Sequence, residues 1–224
     1  MSELLPCVEI EPRAGTATHS VVWLHGLGAN GHDFEPIVPE LGLPSDAAVR
    51  FVFPHAPQIP VTLNMGMVMP AWYDIQEMDL RRRHDEDGIR RSAQQVAALM
   101  ARENERGVPD EKIVLAGFSQ GGAVALFQGV RHPNRLAGIL ALSTYLVCEE
   151  SLDAEASEAN KATPILQMHG EYDPMVTPDR GTAARDALIG RGYAVDYRTY
   201  PMPHAVCPEQ IVDIGGWLRE RLEL

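Results

Sequence analysis

The sequence predicts an α/β fold, with a mostly parallel central sheet and helices on both faces. Three observations predict it. Short apolar runs alternate with longer segments whose apolar residues recur at helical spacing, the pattern of strand–helix–strand units. The short runs are continuously apolar, as strands buried on both faces must be. The 224 residues suffice for one sizeable core, so residues 1–224 are expected to form a single domain.

Cys7–Ile10 reads as an extra edge strand. Buried strands are expected at Ser20–Leu24, Arg50–Phe53, Ile113–Phe118, Leu136–Leu142, Pro164–His169 and Asp196–Tyr200. Helices fall between them. Ile89–Arg106 places Ile89, Val96, Leu99 and Met100 near helical spacing, and Gly107 stops it. Gly121–His132 ends at Pro133. Pro178–Arg191 opens with proline in its first turn and stops at Gly192. Gln210–Leu222 carries Ile211, Ile214, Leu218 and Leu222 along one stripe. Two segments read as irregular loops. Gln58–Asp79 contains Pro60, Gly66 and Pro70, and Glu149–Thr163 is polar and rich in Ala, Ser and Glu. A long structureless loop in a compact domain is more often functional than neutral.

Composition narrows the function classes. Acidic residues number 31 against 19 basic ones, a formal net charge of −12, which repels phosphate backbones and argues against nucleic-acid binding. The one dense basic run, Arg81-Arg82-Arg83, lies among Asp79, Asp85, Glu86 and Asp87 and reads as solvated surface. Cys7, Cys148 and Cys207 are widely spaced, form no CxxC and build no disulfide framework. The first ten residues lack the charged and apolar regions of a secretory signal. The apolar stretch Leu136–Cys148 is interrupted by Ser143 and Thr144 and is too short to cross a bilayer. A cytoplasmic protein without stable membrane insertion is expected.

Gly117-Phe118-Ser119-Gln120-Gly121 matches G-x-S-x-G. The pattern is weak alone, but here an apolar run leads into it and a helical segment follows. That is the strand–turn–helix a nucleophile elbow requires. Small residues are needed where the backbones approach, and Gly117, Gly121 and Gly122 supply them. A serine hydroxyl needs a base to take its proton. In this chain order an acid and then a histidine should follow Ser119. Of the later histidines, His132 lies too far along the helix that the elbow starts, and His169 ends a buried strand. His204 follows the last strand and precedes the last helix, so it is the expected general base. Asp173, on the loop after Pro164–His169, is the expected acid, with Glu171 as competitor; Asp179 and Asp186 belong to the next helix. The oxyanion needs aimed N–H donors. Gln120 supplies one from its backbone, and Leu27, in the loop His25-Gly26-Leu27-Gly28, supplies the other. His25 is read as support for that loop. The candidate substrate pocket comprises Leu27, Met65, Met67, Met69, Trp72 and Val176, with Trp72 and the methionines as an apolar cover.

These motifs occur together with Ala71-Trp72-Tyr73-Asp74, His169-Gly170-Glu171-Tyr172-Asp173 and Pro203-His204, in one order across the whole chain. In this the sequence resembles the carboxylesterase / acyl-protein thioesterase family, also called phospholipase/carboxylesterase, of the α/β-hydrolases. The resemblance implies a compact α/β-hydrolase fold without a large cap domain. It implies a Ser-Asp-His triad on Ser119, Asp173 and His204, with backbone donors at Leu27 and Gln120. It implies no metal or organic cofactor, and a tendency to form homodimers. Many relatives have glycine where Pro203 precedes the histidine here. Bacterial members look like carboxylesterases of short-acyl preference; eukaryotic members look like enzymes that remove palmitoyl groups from protein cysteines. The leading expectation is a serine carboxylesterase that cleaves short- to medium-chain esters through an acyl-enzyme. The alternative is an acyl-protein thioesterase or lysophospholipase acting on longer chains. A non-catalytic binding module on the same fold is the third reading.

Overall fold

A computed structural model of the chain describes residues 4–76 and 85–224. The basic run at residues 81–83 and the end of the 58–79 segment lie outside the described residues. In chain order the strands are β1 (Cys7–Ile10), β2 (His19–Leu24), β3 (Val49–Pro54), β4 (Gln58–Val61), β5 (Met67–Pro70), β6 (Ile113–Phe118), β7 (Gly138–Leu142), β8 (Ile165–Gly170) and β9 (Val195–Tyr200). The helices are α1 (Glu86–Glu105), α2 (Gln120–Arg131), a short α3 (Leu152–Glu155), α4 (Pro178–Ile189) and α5 (Pro208–Arg221). Seven strands form one sheet in the order β1-β3-β2-β6-β7-β8-β9. Every neighbouring pair is parallel except β1 with β3.

The pleat divides the core in two. Val22 and Leu24 of β2 pack on one face with Val96 and Leu99 of α1 and Leu126 of α2. Val21 and Trp23 point the other way, toward Ile214, Trp217 and Leu218 of α5. Successive side chains of a strand face opposite sides, so a strand covered on both faces must be apolar at every position. The strand order also locates a crevice. From β2 the chain steps outward to β3, then returns past β2 to β6. β2 and β6 are therefore neighbours at the point where the winding reverses, and ligands of open α/β sheets bind beyond the carboxyl ends of such strands. The residues leaving those two ends are His25 and Ser119.

Strand Ile113–Phe118 falls where the sequence places it, and most other boundaries move by one or two residues. The main boundary shift is in α1, which starts at Glu86 because the Asp85 carboxylate accepts from the Gly88 N–H at 2.9 Å and caps the helix earlier than the apolar stripe begins. Both expected irregular loops contain structure. Within 58–79, β4 and β5 form an antiparallel hairpin. Proline normally argues against a strand, but in a two-stranded ribbon each strand has a free edge, and Pro60 and Pro70 sit there without leaving a ladder donor unmade. The turn uses positive φ at Met65 and Gly66. The 149–163 segment contains 3-10 turns and α3.

An ion cluster pins that second segment. Glu155 accepts from Arg90 of α1 at 2.6 Å, from Arg131 of α2 at 2.7 Å and from the Ser151 hydroxyl at 2.9 Å. The Arg90 guanidinium, helped by Arg131, holds the Glu155 carboxyl down at about 2 from an ordinary 4.5. A depressed folded-state pKa contributes stability that is present above the unfolded value and is lost as pH falls through the folded one. Unfolding followed in urea should therefore show stability declining between about pH 4.5 and pH 2, and Glu155→Gln should flatten that part of the profile.

Candidate active site

The elbow is a tight turn between β6 and α2. Ser119 has φ 54 and ψ −119, a backbone conformation that side-chain-bearing residues rarely adopt and that costs on the order of 1–3 kcal/mol. The surroundings hold it there. Its N–H donates to the Leu142 carbonyl at 2.9 Å, and its carbonyl accepts from the Thr144 hydroxyl at 2.6 Å. A β-carbon on Gly117 would strike the Gly121 backbone, and one on Gly121 would strike the carbonyls of Leu24 and His25. The glycines of the motif thus let β6 and α2 touch each other and the exit of β2. The Gln120 amide opens α2, where the first N–H groups have no intrahelical acceptor and the helix dipole is positive.

His204 and Asp173 meet across two loops. The Asp173 side chain is fully buried. Its Oδ1 accepts from the backbone N–H groups of Met175 and Val176, both at 2.9 Å, and its Oδ2 accepts from His204 Nδ1 at 2.7 Å. The imidazole therefore keeps Nε2 for other work. Its ring rests 4.7 Å from the ring of Phe118, the residue before Ser119. Backbone bonds zip the two loops together: Glu171 N–H to Tyr200 carbonyl at 2.8 Å and Tyr172 N–H to Met202 carbonyl at 3.2 Å. Gly170 makes this approach possible, since a β-carbon there would strike the carbonyls of Met202 and Pro203.

His169, His25 and His132 have structural settings. His169 is fully buried and donates from Nε2 to the Val176 carbonyl at 2.8 Å, with Asp173 Oδ2 at 3.7 Å. His25 Nε2 accepts from the Ala56 N–H at 3.1 Å and its Nδ1 donates to the Gly26 carbonyl at 2.7 Å. Burial lowers its pKa, which keeps the ring neutral and suited to that accepting role. His132 closes α2 with Nε2 3.2 Å from Asp110. Glu171, the competing acid, is exposed and accepts from the Thr199 hydroxyl at 3.1 Å.

The pocket residues are dispersed. Leu27 is half-buried on the loop after β2, followed by Gly28 at φ 77. Its N–H donates to no backbone carbonyl among the described residues. Met65 (95% exposed) and Met67 (60% exposed) stand at the solvent-facing end of the β4–β5 hairpin, not folded down as a cover. Met69 is half-buried, and its sulfur accepts from Asn64 at 3.2 Å. Trp72 is buried in the core instead of lying over the site, because its indole N–H has an acceptor there, the His25 carbonyl at 2.8 Å. The Val176 side chain is also buried. Tyr172 and Met175, which flank the acid and are largely exposed, were not expected at the site.

Residues 5–221 match the model of the phospholipase/carboxylesterase family. The chain belongs to that family. It is 42% identical to acyl-protein thioesterase 1 of Neurospora crassa, over 94% of this chain and 90% of that one. It is 39% identical to acyl-protein thioesterase 1 of Gibberella zeae, over 94% of each. Among solved structures it is similar to Arabidopsis thaliana SOBER1, with a TM-score of 0.86, 32% identity and coverage of 91% of this chain and 99% of that one. The fold is the α/β-hydrolase fold, and the chain is a hydrolase of this family. Sequence reasoning overlooked Thr144 and the supporting part of Gly170. A glycine directly after a strand and before an acid was the available signal for the latter. Gly170→Ala should displace the His204 loop and lower kcat/KM of ester hydrolysis by about 100-fold, the cost of roughly 1 Å of misplacement, while circular dichroism stays native.

Proposed function

We propose that this protein is a serine hydrolase that removes long acyl groups from protein thiols, with Ser119 as nucleophile, His204 as general base and Asp173 as the group that orients it. The observation that carries the reaction class is the buried Asp173 carboxylate. Two backbone donors occupy one oxygen, which leaves the other to accept from His204 Nδ1 at 2.7 Å, with the imidazole ring 4.7 Å from that of Phe118, the residue before the strained serine. The substrate class rests on the relatives in Neurospora crassa and Gibberella zeae, both named acyl-protein thioesterases. It is preferred to the short-chain carboxylesterase expected from sequence. Exposed Tyr172 and Met175, which flank Asp173, offer apolar surface that suits a long acyl chain.

The proposed steps are these. Ser119 Oγ attacks the thioester carbonyl carbon while its proton passes to His204 Nε2. The carbonyl π pair moves to oxygen, and the backbone N–H groups of Leu27 and Gln120 receive that charge. Asp173 stabilises the imidazolium without taking the proton. Collapse breaks the C–S bond, and the thiol leaves with the proton held on His204. A thiolate is a better leaving group than an alkoxide, so its departure asks less of that proton. Water, deprotonated by His204, then attacks the acyl-serine, and the acid departs as Ser119 recovers its proton.

A steady-state comparison of acyl chain length, with matched oxygen and sulfur esters, tests this reading. Wild type should cleave a long-chain S-acylated cysteine peptide, with kcat/KM rising along the chain because each buried CH₂ contributes about 0.8 kcal/mol. Ser119→Ala should lose at least about a thousandfold. Hydrolysis confined to short oxygen esters overturns the substrate class; full activity in Ser119→Ala overturns the reaction class.

A further inference from the structure

Residues 70–73 touch both the loop after β2 and the start of α2, which carry the proposed oxyanion donors. On the β2 side, the Gly28 N–H donates to the Pro70 carbonyl at 2.8 Å, and the Trp72 indole N–H donates to the His25 carbonyl at 2.8 Å. Leu27 lies between those two anchored residues. On the β6 side, the Gln120 side chain is almost wholly buried. Its Oε1 accepts from the Trp72 backbone N–H at 2.8 Å and its Nε2 donates to the Tyr73 carbonyl at 2.7 Å. The backbone amide of that same Gln120 is the second donor.

The segment is also held from behind. The Ser92 hydroxyl of α1 donates to the Trp72 carbonyl. The Ala71 N–H donates to the Pro57 carbonyl at 3.0 Å, and the Tyr73 and Tyr145 hydroxyls pair at 2.6 Å. Ala71, Trp72 and Tyr73 are all buried, so each of these bonds is shielded from competing water.

We propose that Trp72 and the Gln120 side chain are positioning residues, which form a strut that sets the spacing of the Leu27 and Gln120 amides. The inference rests on the serine-hydrolase reading of the site. Its physical basis is that the two donors leave different strands. β-sheet pairing holds Leu24 against Gly117, but Leu27 stands three residues beyond that pair. Donors stabilise developing charge when they need no reorientation as it appears. A chain of hydrogen bonds from Gln120 through Trp72 to His25 removes the freedom that three loop residues would otherwise have. The side-chain chemistry is specific. An indole offers a single donor on a long rigid ring, while an amide offers a donor and an acceptor at one end. Phenylalanine keeps an aromatic ring at position 72, smaller than the indole, and loses the donor; glutamate keeps the shape of Gln120 and loses the donor to Tyr73.

The test measures Trp72→Phe, Gln120→Glu and the double variant. It reads kcat and KM on an ester or thioester substrate, thermal unfolding, and inhibition by a trifluoromethyl ketone, whose adduct with the serine places an oxyanion between the two amides. Each single variant should lose about 10- to 100-fold in kcat with KM within about 3-fold of wild type. Affinity for the ketone should fall by the same factor as kcat/KM, which a loss of stability alone would not produce. The double variant should lose no more than about the worse single one, since both interrupt one strut. Folded single variants with kcat and ketone affinity within about 2-fold of wild type overturn the proposal, as do losses that multiply in the double variant. If Trp72→Phe fails to fold, Gln120→Glu decides by the same criteria. A wild type that neither hydrolyses the substrate nor reacts with a fluorophosphonate at Ser119 overturns the hydrolase reading itself, whereas an active wild type with indifferent variants overturns only the strut.

Discussion

The structure depends on one close approach of backbone to backbone. Gly121 at the start of α2 lies against the carbonyls of Leu24 and His25, and Gly117 at the end of β6 lies against Gly121. No side chain fits in either place. Because those contacts are so short, Ser119 is driven into a strained conformation, and the helix N-terminus stands beside the exit of β2. The strand order brings the same two strands together where the winding reverses. Ser119, the start of α2 and the loop after β2 thus become neighbours through steric fit. The hydrogen bonds from Thr144 to Ser119 and from Ser119 to Leu142 then hold the strained turn.

Around that contact, several buried polar groups are matched with partners. Asp173 has three donors, Gln120 uses both ends of its amide, and His25 uses both ring nitrogens. Such pairing offsets the desolvation cost that an unpaired buried group would carry, about 1–3 kcal/mol for each neutral one and more for a charge. It also separates the histidines by role. His25 and His169 are bound to backbone groups and packed in the core, while His204 gives one nitrogen to a carboxylate and keeps the other. Apolar residues divide in the same way. Trp72 has a polar tip with an acceptor inside the fold, so it serves as internal structure, whereas Met65 and Met67 have no such tie and remain at the hairpin end.

The sheet and its covering helices were legible in the order of residues, because full burial demands unbroken apolar runs and a helix shows its period. Ser119, Asp173 and His204 were legible there too as the candidate trio, since their chain order and their places after strands are local properties. The hairpin at residues 58–70 was not. Prolines argue against strands unless both partners are known to have free edges. Nor was the setting of Trp72, which read as apolar cover while its acceptor, the His25 carbonyl, lies 47 residues away. That contact, and with it the link from the loop after β2 to the start of α2, appears only once the chain is folded. Hydrophobic period is written along the chain; the partner of a buried N–H is chosen across it.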